Sequence, residues 1–192
     1  MATFVLVHGA QHGAWCWDRL LPELRSLGHH AIAPDLPCDD PDAGIAEYAQ
    51  HVVAALDGAG GTDDVVLVGH SLGSLTIPVV AEQLLAQGRR VDRLVFLCSV
   101  PTGPGPAIDA SLADMVTPAF ANARRTFDEG GCESLHPDDA ITVWFADCEP
   151  EDARWAASMP ASSTRRRRNW TAAHCCRTAR ARGLRCPSTG AT

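Results

Sequence analysis

The sequence contains no lysine, and all 16 basic residues among its 192 are arginine. Three enzyme classes depend on a lysine side chain: nucleotide hydrolases with a phosphate-binding loop, enzymes that form a Schiff base, and hydrolases of the Ser-x-x-Lys type. The absence of lysine therefore excludes all three classes.

Long hydrophobic runs are absent as well. No segment approaches the roughly 18 apolar residues that a membrane helix needs, and residues 1–10 contain no basic leader. We therefore expect no membrane partner and a cytoplasmic location. With 46% hydrophobic and 20% charged residues, the composition is that of an ordinary globular protein.

Cys-x-x-Cys pairs are missing although the chain has eight cysteines. Free thiols are a better interpretation than a disulfide scaffold, because no export signal is present. His174, Cys175, Cys176 and Cys186 offer zinc-type donors, but adjacent cysteines do not give the usual two-residue spacing. We expect neither a metal ion nor another cofactor.

A serine between two glycines follows a strand-like run. Val65–Val68 are four consecutive apolar residues, which predict a strand buried on both faces, and Gly69-His70-Ser71-Leu72-Gly73 comes next. This is the pattern of a nucleophile elbow, in which a sharp strand-to-helix turn lifts the serine hydroxyl clear of the sheet. Because the motif alone is weak evidence, the prediction depends on the strand before it and the apolar helix after it.

Strand-like and helical patterns alternate through the first hundred residues. The predicted strands are Phe4–Val7, His29–Pro34, Val65–Val68 and Arg93–Leu97. Such alternation predicts an α/β fold with a parallel sheet. Ligands of these sheets bind beyond the carboxyl ends of the strands, where both Ser71 and the polar loop His8–Gly13 fall.

Pattern and charge divide the chain into three predicted parts. Residues 1–104 form the core, and residues 105–160 form a helical lid that carries Phe120, Trp144 and Trp155; alternatively, these aromatic residues are only the core of a small helical subdomain. Residues 161–192 form an arginine-rich tail. The net charge is −15 over residues 1–164 and +8 over residues 165–192, which have no acidic residue.

The tail is predicted to be disordered or translated in a shifted reading frame, because acidic residues and periodicity are lost together. Eight arginines could alternatively bind nucleic acid. Only Trp170 accompanies them as a stacking aromatic residue, so we do not expect a nucleic-acid partner.

Several ordered motifs together resemble the α/β-hydrolases, and most closely the small methylesterase and hydroxynitrile-lyase group. These motifs are Phe4–Trp17, Leu27–His29, Ala33–Leu36, Val65–Gly73 and Arg93–Val100. The resemblance covers roughly residues 3–160. It implies the parallel sheet of an α/β-hydrolase with a helical lid, truncated because the C-terminal part of the family pattern is missing.

The resemblance implies a serine hydrolase that acts on small carboxylic esters through an acyl-enzyme on Ser71. The backbone N–H groups of Ala10 and Leu72 would form its oxyanion hole. His12 would border the substrate pocket, or would be a solvated loop histidine. Two alternatives stay open: a non-catalytic hydrolase-like fragment, and a hydroxynitrile-lyase-type activity in the same pocket.

The acid and the histidine of the catalytic triad are not identifiable, although the family places both after the serine. The histidines downstream of Ser71 are His136, in the predicted lid, and His174, in the tail, and no acidic residue follows Asp152. Because a serine hydroxyl without a base is a poor nucleophile, we expect slow turnover at most.

The reading-frame hypothesis makes a prediction about the gene. In another frame, the nucleotide sequence downstream of about codon 160 is expected to encode an apolar strand followed by Gly-His, as the family resemblance implies. Sequencing the gene and translating all three frames checks this. If no frame encodes such a strand, the hypothesis is wrong.

Overall fold

The computed structural model of the chain describes residues 1–40, 42–60, 64–99, 117–127, 132–159 and 164–165. All of these residues belong to one compact unit. The zinc-type group around His174 lies outside the described residues, and so does the tail apart from Thr164–Arg165.

The main sheet confirms the predicted α/β architecture. Its strands are β1 (Thr3–Val7), β2 (His30–Ile32), β3 (Val65–His70) and β4 (Val91–Leu97). They are parallel and lie in the order β2-β1-β3-β4. The apolar runs Phe4–Val7 and Val65–Val68 therefore lie in the two central strands, where both faces of the sheet are buried.

Helices cover both faces of this sheet. A 3-10 turn (Ala14–Trp17) and α1 (Leu20–Ser26) follow β1, α2 (Ile45–Gly58) follows β2, and α3 (Leu72–Ala86) follows β3. Side chains alternate along β1: Val5 and Val7 join the core with α2 and α3, whereas Leu6 packs with Trp17 on the opposite face. The parallel strands and their crossover helices bring the carboxyl ends of β1 and β3 to the same edge.

The described part of the predicted lid region contains three helices, each of which begins with proline at a position where no backbone N–H is needed. They are α4 (Pro118–Asn122), α5 (Pro137–Trp144) and α6 (Pro150–Ser158). A small antiparallel sheet, which the sequence did not predict, accompanies them. Its strands are β5 (Arg125–Phe127), β6 (Cys132–Leu135) and β7 (Thr164–Arg165).

None of the helices in the described part of the chain has the length and apolar character needed to cross a bilayer.

The start of α3 has no room for a side chain at Gly73, where an added Cβ would overlap the carbonyl oxygen of Val7. We therefore expect Gly73→Ala to lower the free energy of unfolding by about 1–3 kcal/mol, as overpacking typically does. Gly58→Ala is the matched control, because a Cβ there, near the end of α2, meets no atom within 4 Å. Urea unfolding of both variants measures the difference, and equal midpoints for Gly73→Ala and the parent would contradict the packing.

Candidate active site

Ser71 occupies a strained turn between β3 and α3. Its backbone has φ +48° and ψ −113°, a region that costs a residue with a side chain about 1–3 kcal/mol. Neighbouring hydrogen bonds hold the turn: Ser71 N–H donates to Leu97 O (3.2 Å), Ser74 N–H donates to Ser71 O (2.9 Å), and Ser74 Oγ–H donates to Gly69 O (2.7 Å). The side chain of Ser71 is exposed, which is the geometry that a nucleophile elbow requires.

The loop after β1 lies directly against this turn. A Cβ added to Gly9 would lie 2.8 Å from His70 Nδ1 and 3.1 Å from Ser71 Cβ. Only glycine leaves enough space there for the loop His8–Gly13 to approach the serine. The two sequence motifs predicted to meet at this edge of the sheet are therefore adjacent.

Two backbone donors of this site have no protein acceptor among the described residues: Ala10 N–H in the loop and Leu72 N–H at the first position of α3. The first N–H groups of a helix have no intrahelical partner, and they carry the positive end of the helix dipole. Both donors are thus available to an anionic oxygen.

His8 is fully buried at the carboxyl end of β1. Leu36 N–H donates to its Nε2 (2.9 Å), and its Nδ1 lies 2.8 Å from Gly9 O. Asp35 Oδ1 is 3.6 Å from the same Nε2, but it accepts Ala14 N–H at 2.6 Å. Since a backbone amide can only donate, Nε2 is unprotonated and Asp35 forms no ion pair with His8.

His12 belongs to a cluster of rings, here called the aromatic wall, whose other members are Trp15, His70, Trp144 and Phe145. Its Nδ1–H donates to Ala10 O (3.1 Å). Its ring contacts Trp15 (5.4 Å, stacked), His70 (5.5 Å), Phe145 (6.0 Å) and Trp144 (6.2 Å), measured between ring centroids. These partners come from the 3-10 turn after the loop, the turn at Ser71 and the end of α5, so His12 lies where the three segments meet.

Further contacts of Trp15 and Arg19 connect the aromatic wall to α6. The Trp15 and Trp155 rings meet edge to face with centroids 5.8 Å apart. Arg19 lies over the Trp155 ring (5.5 Å) and forms an ion pair with Asp152. Guanidinium groups bind both aromatic faces and carboxylates, so Arg19 links the segment after the loop to α6.

The three histidines of the site are neutral at neutral pH. Burial lowers the pKa of His8, although the Gly9 carbonyl and Asp35 oppose the shift. Burial also lowers the pKa of His12, which the Ala10 carbonyl partly offsets. The pKa of His70 falls to about 4, because burial and then the neighbouring His12 and His8 disfavour its charged form.

No triad partner of Ser71 is found among the described residues. His136 lies at the start of α5, where its Nδ1 accepts the Asp138 N–H (3.4 Å), and His174 lies outside the described residues. No histidine in the described ranges hydrogen-bonds to Ser71 Oγ. In the same described ranges, no group of three or more His, Cys, Asp or Glu side chains could hold a metal ion.

The sequence did not identify His8 as a site residue. The missed signal is a histidine placed directly between a buried strand and a glycine. Its partner Leu36 is 28 residues away, so no local pattern could have paired them. Arg19 was missed for the same reason, since its partner Asp152 is 133 residues away.

Comparison with known proteins identifies the family. The sequence model of the family described as the alpha/beta hydrolase family matches residues 4–188 of this chain. The chain belongs to the alpha/beta hydrolase family. This confirms the family predicted from the motifs and assigns the parallel sheet to the α/β-hydrolase fold.

Two curated α/β-hydrolases illustrate the similarity. The rice (Oryza sativa) protein Probable esterase PIR7A is 34% identical over 120 residues, which are 59% of this chain and 44% of the rice protein. Methyl jasmonate esterase 1 of Vitis vinifera is 28% identical over 171 residues, which are 81% of this chain and 64% of the grapevine protein. The chain thus spans less than two thirds of the length of these relatives.

Solved structures share the fold. A pyrethroid hydrolase from Sphingobium faniae has a TM-score of 0.65 and 25% identity, and the match covers 85% of this chain and 68% of that one. A variant of tomato methylketone synthase I has a TM-score of 0.62 and 25% identity, covering 83% and 66%. This α/β-hydrolase chain therefore corresponds to about two thirds of each structure.

The lowered pKa of His70 makes stability depend on pH. In the unfolded chain the imidazole titrates near its ordinary pKa of 6.5, so between pH 6.5 and about 4 the unfolded state binds more protons than the folded state. The free energy of unfolding is therefore unaffected above pH 6.5 and falls as the pH decreases through this window. The loss from His70 alone is on the order of 3 kcal/mol near pH 4.

His70→Gln removes this titration, so the difference in unfolding free energy between parent and variant is expected to change across the window. Urea unfolding at pH 7.5, 6, 5 and 4 measures it. His51→Gln, at an exposed position of α2, is the control. Parallel pH profiles for His70→Gln and the parent would contradict a buried, neutral His70.

Proposed function

We propose that this chain is a serine hydrolase that cleaves small carboxylic esters through an acyl-enzyme on Ser71. The observation that carries the proposal is the strained, exposed Ser71 at the carboxyl end of a buried central strand, with the His8–Gly13 loop against it. Strain at a single exposed residue is typical of functional sites, because the surrounding structure has to maintain it.

The proposed reaction begins when Ser71 Oγ attacks the ester carbonyl carbon. The hydroxyl proton leaves to a base, and the carbonyl oxygen becomes an oxyanion that accepts hydrogen bonds from Ala10 N–H and Leu72 N–H. The C–O bond to the alcohol then breaks, and the alcohol leaves with a proton. Water hydrolyses the acyl-enzyme, which releases the acid and restores the serine.

The base of this reaction is not assigned to a described residue. The His70 ring packs against Gly9 and contacts the His12 ring edge to face. Its pKa of about 4 makes it a weak proton acceptor at neutral pH. His136 caps the start of α5. Slow acylation is therefore expected, because the oxyanion hole and binding alone leave only residual catalysis.

The aromatic wall favours a substrate ester with an aromatic or alkyl group. His12, Trp15 and Phe145 present ring faces and edges next to the loop, and neutral imidazoles keep this surface free of positive charge. Aromatic side chains bind apolar groups through burial and edge-to-face contact. The names of the rice and grapevine relatives, both esterases, support the same substrate class.

The test is covalent labelling of Ser71 together with hydrolysis of p-nitrophenyl butyrate, an activated alkyl ester. We expect the parent to react slowly with a fluorophosphonate at Ser71, which mass spectrometry locates, and to release p-nitrophenol. Ser71→Ala is expected to lose both signals, because its methyl group cannot attack. Ser26→Ala, at an exposed serine of α1, should retain both.

Equal hydrolysis by Ser71→Ala and the parent would show that the serine is not the nucleophile. A folded parent with neither labelling nor turnover would instead support the non-catalytic fragment. Release of cyanide from a cyanohydrin, without ester hydrolysis, would favour the lyase alternative.

A further inference from the structure

The buried imidazole of His8 joins two backbone segments through a single tautomer. Leu36 N–H donates to Nε2 at 2.9 Å, which places the ring proton on Nδ1. Nδ1 is 2.8 Å from the carbonyl oxygen of Gly9, so Nδ1–H donates to it. Both nitrogens are used, and the side chain has no exposure to solvent.

The Gly9 carbonyl belongs to the same peptide unit as the Ala10 N–H. A peptide unit is planar and trans, so its C=O and N–H point in opposite directions. A hydrogen bond that fixes the carbonyl oxygen therefore also fixes the direction of the N–H at the other end. It polarises the unit as well, which strengthens the N–H as a donor.

We propose that His8 is a positioning residue that orients and polarises the Gly9–Ala10 peptide through its Nδ1–H, so that Ala10 N–H is aimed at the oxyanion formed at Ser71. This inference rests on the proposed function. His8 touches neither Ser71 Oγ nor the substrate; it acts through one peptide unit.

Gly9 O also accepts a longer backbone hydrogen bond from His12 N–H (3.4 Å). The other side-chain contacts of the loop hold different parts of it. Asp35 accepts Ala14 N–H (2.6 Å), beyond the end of the loop, and His12 Nδ1–H donates to Ala10 O (3.1 Å), the carbonyl of the following peptide. Among the described residues, His8 thus provides the shorter of the two hydrogen bonds to the peptide unit that carries the Ala10 donor, and the one that comes from a side chain.

Two substitutions of His8 test the hydrogen bonds of its two imidazole nitrogens separately. The amide nitrogen of asparagine can replace Nδ1–H as a donor to Gly9 O, whereas the longer glutamine places its amide oxygen near Nε2 as an acceptor for Leu36 N–H. His8→Asn therefore keeps the bond to the oxyanion peptide, and His8→Gln keeps the bond to the β2 side. A purely structural role for His8 as an anchor of Leu36 predicts the opposite order of activity.

We expect the rate of fluorophosphonate labelling of Ser71 to fall less than about threefold in His8→Asn and at least about tenfold in His8→Gln. The upper limit is the complete loss of an oxyanion donor, which typically lowers the rate by about 10²-fold to 10³-fold. His51→Asn is the control and should label like the parent. Thermal unfolding is measured for each variant. Labelling of His8→Gln equal to or faster than that of His8→Asn would overturn the proposal.

A second readout does not depend on catalysis. Long-range ¹H–¹⁵N spectra of the parent should show His8 as the Nδ1–H tautomer, and the Ala10 amide resonance should move further from its parent position in His8→Gln than in His8→Asn. An Nε2–H tautomer, or the reverse order of amide shifts, would overturn the proposal even if no variant is labelled. Absence of labelling in the parent would count against the proposed function alone.

Discussion

The close approach of α3 to the end of β1 is the constraint on which the site depends. A side chain at Gly73 would overlap the carbonyl oxygen of Val7, and a side chain at Gly69 would come within 2.6 Å of Gly73 O. Because β1 and β3 are adjacent and buried, this contact fixes the elbow relative to the loop that follows β1. The positive φ of Ser71 is therefore maintained by tertiary packing, which can support a strain that the local sequence would not adopt.

Neutral imidazoles give this site a particular kind of electrostatics. His8 and His12 each donate to a carbonyl oxygen of the loop, so the negative ends of two consecutive peptides are hydrogen-bonded. Burial holds both rings uncharged. For the proposed reaction, the developing negative charge is stabilised by fixed peptide dipoles, which require no reorganisation during attack.

The sequence predicted those parts of the fold that depend on local pattern. The apolar runs Phe4–Val7 and Val65–Val68 became the central strands, and the Gly-x-Ser-x-Gly motif became the turn at Ser71. It missed β5–β7, because these short strands have no clear alternation and β6 pairs with Thr164–Arg165, far along the chain. The bond between His8 and Leu36 was missed for the same physical reason, since this partner is set by the fold and not by the neighbouring residues.

Two members of the aromatic wall, His12 and Trp15, lie in the same chain segment as Ala10, the proposed oxyanion donor. His12 donates to Ala10 O and stacks on Trp15, and Trp15 meets Trp155 of α6. A group bound against these rings would therefore press on the residues that hold the Ala10 peptide. Remote binding energy can be used in this way to align the reacting centre. In the proposed reaction, α6 would then influence the Ala10 N–H donor through two aromatic contacts, without touching the ester carbonyl.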